Sequence, residues 1–258
     1  MIKALVFDLG GVLIDLDIKS CIKACKEEIG FDKAAEFLDP CHQKGIFMRL
    51  EEGTVSKEEF AAEVLKMCRP GTTENDVAHA FRRLLVGVAP YKVDLLKELA
   101  ARYDLYLLSN NNEISMPESK RIFESLGIPM DRIFKKLFLS YEMKMLKPGD
   151  EIFQTAIAEI SRISGGSRHT DSMSDDSGIA DTHSGTSIGM TSSGNAATRA
   201  ENTSASDSTG ILPCEMLFID DSPANVEAAR RNGMAAVCCP QGADLRQIIE
   251  TAIADDER

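Results

Sequence analysis

The stretch Ala4-Leu5-Val6-Phe7-Asp8-Leu9-Gly10-Gly11-Val12-Leu13 decides how the rest of the chain is read. Ala4 to Phe7 is a continuous apolar run rich in strand-formers, which marks a strand buried on both faces. It stops at Asp8, and Leu9 leads into two glycines that allow a sharp turn and a close approach of backbone to ligand. A carboxylate at the carboxyl end of a buried strand stands where open α/β sheets hold their ligands. The same residue also suits a plain turn or helix cap. What the other strand ends carry decides between the two.

Working outward, Val93–Ala101 reads as a helix, followed by a buried strand Leu105–Leu108 that ends in Ser109 and Asn110. A helix over Ser119–Leu126 leads to a third strand, Leu137–Leu139, ending at Ser140. Lys147-Pro148 precedes a helix carrying Ile152, Phe153, Ala156, Ile157 and Ile160. A fourth strand, Met216–Ile219, ends in Asp220-Asp221; a helix over Ala224–Arg231 stops at Asn232-Gly233, and Ala235–Cys238 is a fifth strand. Apolar strands alternating with helices specify an α/β fold, a parallel sheet with helices on both faces.

Between Asp17 and Val88 the pattern is helical, with no convincing strand. Ile18, Ile22, Cys25 and Ile29 recur at helical spacing, and Gly30 is placed to stop that helix. Ser56-Lys57-Glu58-Glu59 is a capping box opening a helix with Phe60, Val64, Met67 and Cys68 on one face. Pro70-Gly71 breaks it. Thr73 caps another, in which Val77, Phe81, Leu84 and Leu85 share a face. The expectation is a Rossmann-like core of residues 1–16 and 89–258, with a small all-helical cap of residues 17–88 above the first strand's carboxyl end.

From Ser164 to Gly210 the composition changes: 19 of these 47 residues are Ser or Thr, with almost no large apolar side chains. Such a segment buries too little surface to offset the entropy of ordering, so it reads as a disordered insert within the core. It would join the sheet at the edge opposite the site. His169 and His183 fall in it and read as incidental.

The net charge of −12, from 29 basic and 41 acidic residues, argues against a nucleic-acid partner, which would require a basic face. Seven cysteines without a CxxC pair fit reduced thiols better than a disulfide framework. The first apolar run is interrupted by Asp8 and lacks a small-residue cleavage site, unlike a signal peptide. No apolar run approaches the roughly 18 residues needed to span a bilayer. A cytoplasmic protein without a membrane partner is expected; oligomeric state is not legible.

Four strand ends or their flanks now carry polar groups: Asp8, Ser109 with Asn110, Lys147, and Asp220 with Asp221. A parallel sheet brings them to one edge. Carboxylates gathered there repel unless a hard cation with oxygen ligands, above all Mg²⁺, joins them. A lysine, a hydroxyl and free backbone amides beside them make an anion site. The set suggests phosphoryl transfer to a carboxylate.

The chain resembles the haloacid-dehalogenase (HAD) superfamily, in the phosphatase branch with a helical cap after the first strand. Phe7-Asp8-Leu9-Gly10-Gly11-Val12-Leu13 is similar to the first family motif, Leu108-Ser109-Asn110 to the second, Lys147-Pro148 to the third, and Phe218-Ile219-Asp220-Asp221-Ser222 to the fourth. The resemblance implies that Asp8 is the nucleophile and a metal ligand, and that Lys147 neutralises Asp8 and the phosphate. Ser109, the amides around Asn110, and Gly10 and Gly11 would bind phosphate. The Gly10 carbonyl, Asp221 and Asp220 would complete the metal site. Asp221 is favoured as the direct ligand because Asn225 follows four residues later, with Asp220 acting through water or orienting the site. Lys144 is an alternative to Lys147.

Most phosphatases of the superfamily carry an aspartate two residues after the nucleophile, as proton donor and then base. Here that position is Gly10, and a lost general acid costs about 10²–10⁴-fold. Substrates with good leaving groups would suffer least, and the resemblance to a branch with an Asp-Leu-Gly-Asn first motif points to sugar phosphates such as sugar 1-phosphates. Asp15 or Asp17 would be a substitute acid, against a plain helix-start role. Two further readings stand beside the Mg²⁺-dependent phosphomonoesterase: a non-catalytic metabolite-binding HAD-like protein, and a metal-free haloacid dehalogenase. In the cap, His42 and Arg49 are candidates to reach a ligand.

Overall fold

The computed structural model describes residues 1–38, 45–166 and 210–256. Among these, five parallel strands form the central sheet: β1 (Ala4–Phe7), β4 (Asp104–Ser109), β5 (Lys136–Leu139), β6 (Met216–Asp220) and β7 (Ala235–Cys238), in the order β5-β4-β1-β6-β7. From β1 the chain moves outward through β4 and β5, then crosses back to β6 and β7 on the other side. Ligand crevices of open sheets form at such reversals, and β1 lies at its centre.

β1 is buried at every residue, and its period-two alternation splits the core into two layers. Leu5 and Phe7 face one layer with Leu107 of β4 and with Leu96, Phe123 and Leu245, from α6 (Pro90–Ala100), α7 (Ser115–Ser125) and α12 (Leu245–Asp256). Ala4 and Val6 face the other, with Leu108 of β4 and with Phe153, Ile160 and Ala229, from α10 (Asp150–Gly166) and α11 (Pro223–Arg231). A sheet covered on both faces has no room for polar side chains except at strand ends. That restriction sends Asp8, Ser109 and Asp220 to one rim.

The cap has a core of its own. α1 (Ile18–Ile29), α4 (Lys57–Leu65) and α5 (Glu74–Arg82) gather Cys21, Cys25, Phe31, Phe60, Val64, Val77 and Phe81. Phe60 and Phe81 meet edge to face at 5.1 Å, a favoured geometry for aromatic quadrupoles. The expected capping box forms between Ser56 and Glu59, Thr73 caps α5 as expected and closes a second box with Asp76, and Gly30 ends α1 in the left-handed conformation. Two short helices, α2 (Ala34–Phe37) and α3 (Ile46–Glu51), complete the described cap.

The cap is not wholly helical as expected. α5 stops at Arg82, and Leu85–Gly87 forms β3, pairing antiparallel with β2 (Asp15–Leu16). This ribbon joins cap to core; three apolar residues at the end of a helical face give no period-two signal long enough to read. The insert boundary also shifts. α10 runs through Gly166, because Ser164 is buried, its Oγ donating to Ile160 O at 2.9 Å and accepting from Ile211 N at 2.7 Å. Gly166 and Gly210 thus flank one closed corner, and Ile211 leads into β6 at its amino end. The remainder of the insert, with His169 and His183, lies outside the described residues.

Candidate active site

β1 carries Asp8 to the rim, and Asp8 N donates to Ile219 O at 2.8 Å, tying it to β6. Lys147 follows α9 (Ser140–Met143), and its buried ammonium is the centre of the site. Lys147 Nζ lies 2.9 Å from Asp8 Oδ1 and 2.6 Å from Asp220 Oδ2, and also donates to Leu108 O at 2.9 Å. Phe218 offers its ring face 5.4 Å away. Each ammonium proton therefore has an acceptor, which a buried cation requires.

Asn110 accounts for the lysine's position. Its Nδ2 donates to Lys147 O at 3.0 Å, and its Oδ1 accepts from Lys147 N at 2.9 Å. The side chain is committed to that pairing, so any contact of Asn110 with phosphate falls to its backbone amide. Ser109 is buried at the end of β4, its hydroxyl 3.3 Å from Asn110 O, a weak bond easily exchanged.

Asn225 does not mark Asp221 as expected: its Nδ2 donates to Asp220, at 3.0 Å to Oδ1 and 3.2 Å to Oδ2. Ser222 N adds a bond to Asp220 Oδ1 at 2.8 Å, so Asp220 is fully engaged. The half-buried Asp221 instead lies against Gly11, where a Cβ would fall 2.2 Å from its Oδ2. Gly11 also has φ +77°, so no other residue fits there without strain.

Burial and the nearby Asp220 charge lift the Asp8 carboxyl to about 6 against the pull of Lys147. Burial works against the Lys147 charge, but Asp8 and Asp220 outweigh it and hold its pKa above the ordinary lysine value. Burial, with Asp220, also raises Asp221. Asp8, Asp220 and Asp221 each offer an oxygen within 4.8 Å of the others. Three carboxylates facing one lysine leave negative charge uncompensated, and an all-oxygen donor set of this size fits a hard divalent cation.

Neither proposed substitute acid is in the site. Asp15 pairs with buried Lys92 at 2.8 Å, anchoring β2 to the core. Asp17 caps α1 through Ser20 N and Oγ at 2.9 and 2.6 Å, bonds that lower its pKa. Lys144 donates to Gly53 O, away from the carboxylates. Arg49 is exposed on α3, and His42 lies outside the described residues. Two residues escaped the sequence reading. Ser140 Oγ bridges Asn111 N at 3.0 Å to the cap carbonyl of Glu51 at 2.6 Å, and the Glu51 side chain lies within the fields of Asp8 and Lys147. A glutamate at the end of a short helix carries no signal in sequence.

No family model matches the chain. It is 30% identical over 252 residues to a D-ribitol-5-phosphate phosphatase of Bacteroides thetaiotaomicron, covering 96% of both chains. The chain belongs to the HAD superfamily. A HAD family enzyme of Bacteroides thetaiotaomicron, solved in complex with magnesium and inorganic phosphate, matches this HAD chain with a TM-score of 0.69 at 29% identity, covering 95% of it and 97% of the relative. A predicted HAD-like family hydrolase of Porphyromonas gingivalis matches with a TM-score of 0.71 at 30% identity, covering 98% of each. Asp8 therefore stands at the carboxyl end of the central strand of a HAD fold.

Proposed function

We propose that this HAD protein is a magnesium-dependent phosphomonoesterase of a small sugar or sugar-alcohol phosphate, working through an aspartyl-phosphate at Asp8. The observation that carries this reading is the arrangement at the rim. A carboxylate and a lysine are paired at 2.9 Å at the end of the central strand, beside two further carboxylates. A pure binding protein has no use for a nucleophile so placed.

Asp8 attacks phosphorus, and the bond to the leaving oxygen breaks. Lys147 neutralises Asp8 and the transferring phosphoryl oxygens, while Ser109 and the loop amides after β4 hold those oxygens. Asp8, Asp221 and the Gly10 carbonyl are proposed to hold magnesium, with Asp220 orienting Lys147. When bound, the ion supplies Lewis-acid stabilisation of charge on phosphate. Water then cleaves the acyl phosphate, restoring Asp8.

The relative matched over 96% of both chains is named for a 5-phosphate of a sugar alcohol, whose leaving group is a primary alkoxide. The substrate class proposed here is therefore widened from sugar 1-phosphates to include pentitol and sugar phosphates of that kind. We also place the protein in the cytoplasm: the described cysteines are free, including adjacent Cys238 and Cys239, and no described helix is long and apolar enough to cross a membrane. The test is phosphate release from a panel of sugar and sugar-alcohol phosphates with Mg²⁺. Asp8→Asn should lower it about 10⁴-fold or more; equal release by wild type and variant on every substrate would sink the proposal.

A further inference from the structure

Departure of a primary alkoxide is slow unless its oxygen is protonated as the phosphorus–oxygen bond breaks, and Gly10 has no acid to offer. Leu16 of β2 packs beside it: a Cβ at Gly10 would lie 3.0 Å from Leu16 Cδ1, so a side chain there would have to displace that methyl. The nearby Asp15 and Asp17 are engaged with Lys92 and with the start of α1.

The cap presents another carboxyl. Glu51 ends α3, and its carbonyl is pinned to the core by Ser140 Oγ at 2.6 Å. The same hydroxyl accepts from Asn111 N at 3.0 Å, one residue beyond Asn110. The following turn presses onto α9 so closely that a Cβ at Gly53 would fall 2.1 Å from Tyr141 O, and Lys144 Nζ donates to Gly53 O. This clamp holds the end of α3 beside the carboxyl ends of the strands.

Among the described residues, the half-buried Glu51 carboxyl has no hydrogen-bond or ion-pair partner, and the charges acting on it are Asp8 and Lys147. Other charged groups on the elements packed against it are turned elsewhere. Glu52 accepts from Thr54 Oγ1 at 3.2 Å, Glu59 from Ser56 N at 2.9 Å, and Glu142 from the Tyr141 hydroxyl at 3.1 Å. Burial lifts the Glu51 carboxyl to about 7, with Asp8 adding to the rise and Lys147 opposing it. A carboxyl in that range can be held protonated near neutral pH and can take the proton back.

We infer that Glu51, delivered by the cap, is the proton donor and acceptor that replaces the carboxyl missing at Gly10. The inference rests on the phosphomonoesterase reading. As Asp8 attacks, the proton of Glu51 passes to the leaving oxygen, and alcohol departs with Glu51 ionised. Glu51 then takes a proton from the water whose oxygen attacks the aspartyl-phosphate. The acyl phosphate bond to Asp8 breaks, inorganic phosphate forms, and Glu51 is again protonated.

The experiment compares wild type, Glu51→Gln and Glu51→Asp, with Mg²⁺, on 2,4-dinitrophenyl phosphate and on the best alkyl phosphate of the panel. Dinitrophenolate leaves without a proton, and kcat/KM reports only steps through its departure. Glu51→Gln is expected to lower kcat/KM for the alkyl phosphate about 10²–10⁴-fold while holding that for the aryl phosphate within about 3-fold. It should also show a burst of phenolate before slow turnover, since water attack has lost its base. Glu51→Asp should recover part of the alkyl rate. Equal losses on both substrates, a rise in KM alone, or no loss would overturn the inference. The two substrates are run on one preparation, so their ratio is independent of the fraction folded. Wild type releasing nothing from either substrate, as Asp8→Asn would, marks failure of the phosphatase reading instead.

Discussion

The two walls of the cleft are built on opposite plans. On the core wall the ionised groups hold one another: Lys147 is shared by Asp8, Asp220 and the Leu108 carbonyl, and Asp220 also takes bonds from Ser222 and Asn225. On the cap wall, stability comes from an aromatic cluster around Phe31, Phe60 and Phe81, and Glu51 is the polar group brought toward the rim. The core wall fixes charge in advance of the substrate, which makes it efficient for phosphoryl transfer. The cap wall owes its fold mainly to apolar packing and helix caps, so a side chain it presents to the cleft can differ at little cost to the fold.

The largest test of this contrast is Lys147→Met. It leaves Asp8 and Asp220 buried without their cation, so phosphate release should fall about 10³-fold and unfolding should cost about 3–5 kcal/mol less, read by rate assays and by denaturant titration.

Next comes pH. Asp8 is raised from 3.8 to about 6 and Glu51 from 4.5 to about 7, so between those limits the folded state binds more protons than the unfolded one. Stability of metal-free protein should therefore fall as pH rises from about 4 to about 7, read as a falling melting temperature. Mg²⁺ at pH 7 should reverse the fall, because an ion bound only by the folded state stabilises it. A flat or rising profile with chelator present would break the account of the core wall.

A smaller effect is expected at Gly11→Ala. The added Cβ meets Asp221 Oδ2 at 2.2 Å in a left-handed backbone, and the concentration of Mg²⁺ for half-activation should rise about 10-fold. Smallest is Thr73→Ala on the cap, which removes the N-cap of α5. It should cost about 1 kcal/mol of stability with kcat unchanged. A change in kcat there would mean that the cap helices are coupled to the chemistry.

Much of the core was legible because its signals are local. Apolar runs such as Ala4–Phe7 and Met216–Ile219 end abruptly in acids, and parallel strands have only one rim for such ends. The capping box at Ser56 and the N-cap at Thr73 are equally plain, since such partners lie a few residues apart and need no tertiary context. The β2–β3 ribbon was missed because Leu85 continues the apolar face of α5, and its partner lies some seventy residues earlier. Asn225 was assigned to the wrong aspartate because spacing along a helix does not say which of two adjacent carboxylates turns inward. α12 followed the last strand that was read and was not identified.

The sequence alone determined the five strands of the parallel sheet in chain order, the mainly helical stretch inserted after β1, and the identities of Asp8, Ser109, Lys147 and the Asp220-Asp221 pair as rim residues. These depend on hydrophobic periodicity and on polar residues at strand ends, which are properties of neighbours in the chain. Only the tertiary structure decided that Asp220 is the aspartate bound to Lys147, that Asp221 faces Gly11, that Leu16 packs beside Gly10, and that Glu51 reaches the fields of Asp8 and Lys147. Those outcomes depend on side-chain direction and on contacts between distant segments, where burial and charge act through space.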